Sequence, residues 1–111
     1  FVDGDEDCVE AVGRIAHLVS QVHIKDFHVK DGNELYPGEG WYVTRGGNYI
    51  RGAIVGHGNI PIMKCIKALA EVGYDGWLVV EFEGIEDPKQ ATQLSLKNIQ
   101  SMFEALTFFK W

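Results

Sequence analysis

The sequence predicts an α/β fold, and three observations carry that expectation. Residues 21–26 (QVHIKD) and 77–83 (WLVVEFE) read as short strands with one apolar face each. Three capped stretches with apolar residues at helical spacing surround those strands, in the order helix, strand, helix, strand, helix. Strands that alternate with helices must run parallel, because each crossover returns the chain to the same edge of the sheet. A long segment rich in glycine and aromatic residues separates the first strand from the second helix.

The elements follow in order. Asp7, with Glu10 three residues on, has the pattern of a capping box, and a helix is expected from about residue 8 to 19. Val12, Ile15 and Val19 form its expected buried side, and Gly13 weakens it. Asp3, Asp5 and Asp7 do not make a calcium loop, since the glycine is misplaced and Arg14 stands where a bidentate glutamate belongs. In the first strand Val22 and Ile24 share one face, and His23 and Lys25 the other. Residues 27–59 read as a long irregular loop, punctuated by eight glycines from Gly32 to Gly58. Phe27, Tyr36, Trp41, Tyr42 and Tyr49 argue that this loop packs against something, as a lid or binding loop on the active-site side rather than a disordered stretch. Asn59 reads as the next N-cap, Ile62, Ile66 and Leu69 as the apolar stripe, and Gly73 as the stop. In the second strand Leu78, Val80 and Phe82 share a face, which leaves Glu81 opposite. Asp87-Pro88 is a strong helix start, and Leu94, Ile99, Met102, Phe103 and Leu106 form the expected buried face of the last helix.

Composition narrows the function classes. The chain has 111 residues and a net charge of −6, with ten basic residues scattered along it. Nothing resembles the basic stripe that a nucleic-acid surface needs, so no nucleic-acid partner is expected. No apolar run is long enough for a membrane span, so no membrane partner is expected either. Cys8 and Cys65 are far apart and outside any CxxC pair, which reads as buried, reduced thiols in a cytoplasmic protein. The opening Phe-Val-Asp-Gly lacks both an initiator Met and a signal-peptide layout, so the natural start is expected upstream.

His23 and Glu81 are the leading candidates for chemistry. At the carboxyl ends of neighbouring parallel strands they would project to where α/β barrels keep their active sites. An imidazole beside a carboxylate suits a divalent ion such as Mn, Co, Mg or Zn. The plainer reading of a single histidine is a hydrogen-bonded core residue. Gly56 and Gly58 do not make a nucleotide loop, because the third glycine and a directly preceding strand are missing. Asp26 reads as structural, a carboxylate that holds loop backbone at the strand end. His17 and His28 belong to no usable pattern.

Four motifs in order resemble the C-terminal part of the xylose isomerase-like TIM barrels. They are Val-His-Ile-Lys-Asp at 22–26, Arg51 ahead of Gly56-His57-Gly58, Gly73-Tyr74-Asp75-Gly76, and the run that ends in Glu81. The resemblance spans about residues 1–106 and implies a partial (β/α)8 barrel over 1–111, comprising the last two strands and their helices. That superfamily includes sugar and sugar-phosphate isomerases and epimerases, inosose dehydratases and family 2 AP endonucleases. The resemblance implies that His23 and Glu81 are metal ligands and that Glu81 is also an acid/base group. A further Glu and Asp ligand would lie upstream. It makes Arg51 a substrate-side residue, able to fork onto a hydroxyl pair or a phosphate. Lys25, Trp41 and His57 are further substrate-side candidates, although Lys25 also suits an ion pair and His57 replaces the family's frequent Gly-Glu-Gly glutamate. Tyr42 could cover a substrate, and Glu83 lies beside the site.

The expected activity is therefore a metal-dependent isomerisation or epimerisation of a sugar or sugar phosphate through an enediolate. The expected partners are a carbohydrate substrate and further copies of the chain. Two rivals stand beside this reading: an AP-endonuclease-like repair enzyme, and a non-catalytic or self-associating fragment. A fragment of a larger barrel is expected to leave Leu106, Phe108, Phe109 and Trp111 exposed.

Overall fold

Asp7 starts the first helix as expected, its side chain accepting the Glu10 amide at 2.9 Å. The capping box is only half formed, because the Glu10 carboxylate pairs with Arg14 at 2.6 Å instead of reaching back. In the computed structural model, which describes residues 1–109, this helix α1 spans Cys8–Ile15, and a 3-10 turn, Ala16–Leu18, completes it. Then come β1 (Val22–Ile24), β2 (Asp26–Lys30), β3 (Tyr42–Val43), β4 (Tyr49–Ala53), α2 (Ile62–Glu71), β5 (Leu78–Val80) and α3 (Pro88–Phe109).

The strands form two sheets. β1 and β5 pair in parallel, with His23 opposite Val79, and the Glu81 amide extends the ladder to the Ile24 carbonyl at 2.9 Å. β2, β4 and β3 form an antiparallel sheet with β4 in the middle, in which His28 lies opposite Arg51. Residues 27–59 are therefore not the irregular loop expected from their glycines. The strand β2 starts directly after β1, and Asp26, expected at the end of one strand, opens the next.

The core lies between the parallel pair and the helices. Ile24, Val55, Ile62, Ile66, Ile99 and Leu106 are buried there, joined by Val22, Leu78 and Val80. Alternation along β1 and β5 puts these side chains on one face and His23, Val79 and Glu81 on the other. The stripe Ile62, Ile66 and Leu69 is buried as expected. α3 contributes polar groups as well. The Val55 amide donates to the buried Ser95 hydroxyl at 3.0 Å, and Asn98 donates to the Val55 carbonyl at 2.7 Å.

Several expectations fail in instructive ways. Asn59 does not cap α2; its side chain accepts the Val29 amide at 2.8 Å, and the residue before α2 is Pro61, with no side-chain cap. Ile15 and Phe103 are exposed, and Ala11 and Ala16 take the buried positions on the α1 side. Leu106 is buried, against the expected exposure, whereas Phe108, Phe109 and Trp111 lie outside the residues whose side chains are described. Cys8 and Cys65 are free and half-buried, and burial pushes the Cys65 thiol up to about 11. No helix among the described residues is long and apolar enough to cross a membrane.

Candidate functional site

His23 and Glu81 come together. Parallel register puts them on the same face of the β1–β5 pair, and His23 Nδ1 contacts Glu81 Oε1 directly. With Nδ1 turned to the carboxylate, Nε2 is the nitrogen left for anything else the ring binds. Both side chains are open to solvent, 48% and 38% exposed, so a ligand can reach them. A cavity of about 440 Å³ runs beside them, with walls that include Phe1, Val12, Val22, Ile62 and Leu69.

Lys25 and Glu83 form the next pair on this side. Their ion pair is 3.0 Å long, and the Lys25 ammonium also sits 5.3 Å from the Phe27 ring centre. Of the two readings given to Lys25, the ion pair is the one present. Among the described residues no three His, Cys, Asp or Glu side chains gather as a metal cage. His23 and Glu81 offer one nitrogen and one oxygen donor. That donor set suits a divalent ion that draws its remaining ligands from elsewhere, from substrate or water.

Arg51, on β4, and Trp41, just before β3, belong to a second group. Trp41 lies 5.7 Å from the Arg51 guanidinium carbon and 6.5 Å from the His28 ring. Arg51 also faces Glu86, in the segment between β5 and α3, at 3.6 Å. Burial, and then the Arg51 charge, push the His28 pKa below its ordinary value. His57 is exposed in a turn, its amide donating to the Ile54 carbonyl at 2.8 Å. Tyr42 is exposed and Trp41 half-buried.

One carboxylate organises the junction between the groups. Asp26 is fully buried and accepts the amides of Phe27, Gly56, Gly58 and Ile60 at 2.8, 2.9, 3.0 and 3.2 Å. A Cβ on Gly58 would lie 2.4 Å from the Asp26 carboxylate, so only glycine fits there. The Gly56-His57-Gly58 turn is thus shaped to bring amides to Asp26, which matches the structural role read for that residue. Gly52 and Gly84 meet backbone to backbone, each with a virtual Cβ 2.4 Å from a carbonyl oxygen of the other segment. That approach seats the antiparallel sheet on the segment after Glu81.

Sequence reasoning missed Glu86, His28 and Asp5. Asp5 accepts the Asn48 side chain at 2.9 Å, the Thr44 hydroxyl and the Gly46 amide, and so ties the N-terminal segment to the β3–β4 turn. These contacts span about forty residues or more, and nothing in local spacing announces them. Gly52 alone carried a readable signal, since a glycine inside a strand often marks a close backbone approach.

A family model described as xylose isomerase-like TIM barrel matches residues 1–102. No curated protein and no solved structure matches the chain.

Proposed function

This chain belongs to the xylose isomerase-like TIM barrel family, and from that premise we propose that it serves a metal-dependent isomerase or epimerase acting on a sugar or sugar phosphate. The observation that carries the proposal is the direct contact of His23 with Glu81 at the carboxyl ends of two neighbouring parallel strands. Those strand ends are where barrel enzymes gather their reacting groups.

His23 and Glu81 would hold the ion. A divalent cation bound there would act as a Lewis acid on the substrate's adjacent oxygens and so lower the cost of the enediolate. Glu81 is the acid/base group: its carboxylate takes the proton from the carbon next to the carbonyl and returns it. The ion would take the place of the direct His23–Glu81 contact, each side chain turning one donor atom to it. Arg51 and Trp41 are the substrate-side pair in this reading, and Lys25 is occupied by Glu83.

Exchange of the substrate's carbon-bound proton with solvent tests the chemistry. The full chain, supplied with Mn or Co and a ketose in heavy water, should incorporate deuterium next to the carbonyl. Glu81→Gln should slow incorporation by about 100-fold or more, the scale of a lost general base. Exchange that ignores both the metal and Glu81 would overturn the assignment.

We also propose that the chain associates with copies of itself. Among the described residues β1 and β5 pair only with each other, which leaves one edge of each strand without a partner. Sedimentation at micromolar concentration should then report an oligomer. A monodisperse, cooperatively melting monomer would count against it.

A further inference from the structure

We propose that the Arg51–Glu86 pair, backed by Trp41, recognises an uncharged, hydroxyl-bearing sugar and discriminates against its phosphate ester. This inference rests on the carbohydrate reading above and deepens it, by choosing between the two substrate classes which that reading leaves open.

The argument starts from an ion pair that is not closed. A charge-assisted N–H···O bond draws its atoms to about 2.7–2.9 Å, whereas Arg51 Nη2 and Glu86 Oε2 stand 3.6 Å apart. Arg51 Nε and Glu86 Oε1 are buried, and neither has a hydrogen-bond partner. One unused donor and one unused acceptor therefore sit in the same pair. Buried polar groups left this way are costly, and a group that satisfies both is favoured.

A hydroxyl is such a group, since it donates and accepts at one atom. A phosphate at neutral pH offers acceptors and negative charge. It could satisfy Arg51, but it would stand against the Glu86 carboxylate. The neighbours supply no compensating charge: His28, across the ladder from Arg51, has its charged form disfavoured by burial and by Arg51 itself. Arg51 and Glu86 cancel each other, and Asp26, the further carboxylate that acts on His28, adds no positive charge. The two side chains are 17% and 33% exposed, so a ligand that approaches from solvent meets the pair, and the buried Nε and Oε1 reach it only if the side chains turn. Trp41, already against the guanidinium, adds an aromatic face for the C–H groups of a sugar ring.

The test is equilibrium binding without metal and without turnover. The full chain is titrated with D-fructose and with D-fructose 6-phosphate while tryptophan emission is followed. D-Fructose should bind at least tenfold more tightly than the phosphate, and its signal should vanish in Trp41→Phe. Glu86→Gln removes the repelling charge and should narrow the preference at least fivefold, chiefly by strengthening the phosphate. The wild-type ratio decides even if that variant fails to fold. Equal or tighter binding of the phosphate to the wild type, or no response to either sugar, overturns the proposal. A preserved sugar preference in a chain that catalyses no proton exchange would support this site and sink the catalytic reading alone.

Discussion

The parallel β1–β5 pair and the antiparallel β2–β4–β3 sheet adjoin in one small chain, yet different forces hold them. The parallel pair lies on α2 and α3 through aliphatic side chains, with Ile24, Ile62, Ile66 and Ile99 buried around Val55. The antiparallel sheet buries little apolar surface beyond Ile50 and Ala53, and is fixed by two carboxylates and by aromatic contacts such as Tyr36 against Tyr49 at 5.3 Å. Apolar burial is non-directional and tolerates sliding; a carboxylate that accepts several amides fixes position. The arrangement suits the proposed work. The apolar unit supplies the strand ends that carry His23 and Glu81, and the polar unit holds Arg51 and Trp41 in place beside the segment that follows them.

The largest expected effect tests the joint between the two regions. Asp26→Ala removes an acceptor shared by four amides in a fully buried place, and should cost about 4 kcal/mol, the scale of a broken buried polar network. Asp26→Asn keeps one acceptor oxygen and should fall between Ala and wild type. Urea melts of both variants check the order, and two equal, small effects would mean that the amides find other partners. Next comes the apolar unit. Ile66→Ala should cost about 3 kcal/mol through lost burial and the cavity left behind. It should leave the Asp26 amide contacts intact by NMR, which separates the two regions; loss of both sets together would make them one cooperative unit.

The contrast also explains what was legible in the sequence. The apolar unit was readable because its signals are local. Asp7 and Asp87 cap their helices, the Ile62–Ile66–Leu69 stripe is buried, and alternation puts His23 and Glu81 on one face. Four ordered motifs pointed to the family that matches residues 1–102. The antiparallel sheet was not readable. Its strands are two to five residues long, its turns are spelled by the same glycines as a disordered loop, and its ties run from Asp5 to Asn48 and from Asp26 to Ile60. Ile15 and Phe103 mark a different limit. A stripe names the face a helix could bury, but not whether anything covers it.

A smaller effect concerns the second carboxylate. Hydrogen bonds from Asn48, then Thr44, hold the Asp5 carboxyl below its ordinary value of 3.8, against a small opposing effect of burial. A depressed carboxylate stabilises the fold above its unfolded pKa, and that contribution disappears as pH falls through the folded one. The β3–β4 turn should therefore loosen on acidification below 3.8, seen as collapse of the Gly46 and Asn48 amide shifts toward random-coil values. Asp5→Asn should remove that acid-dependent step. A step of unchanged size in the variant would assign it to another group.

The smallest expected effect lies within the antiparallel sheet, at His28, and asks which cause lowers its pKa. Burial ranks first, the Arg51 charge second, and Glu86 and Asp26 pull weakly the other way. A histidine whose folded pKa is depressed binds fewer protons than the unfolded chain just below 6.5, so the fold loses stability as pH drops through that range. Arg51→Gln takes away the second cause but leaves the first, because Trp41 and the β2–β4 ladder still cover the ring. The His28 midpoint, followed by NMR, should then rise while staying under 6.5. Glu86→Gln removes a carboxylate that favours the imidazolium and should move the midpoint the other way, by less. If Arg51→Gln brought the midpoint all the way to 6.5, charge and not burial would dominate.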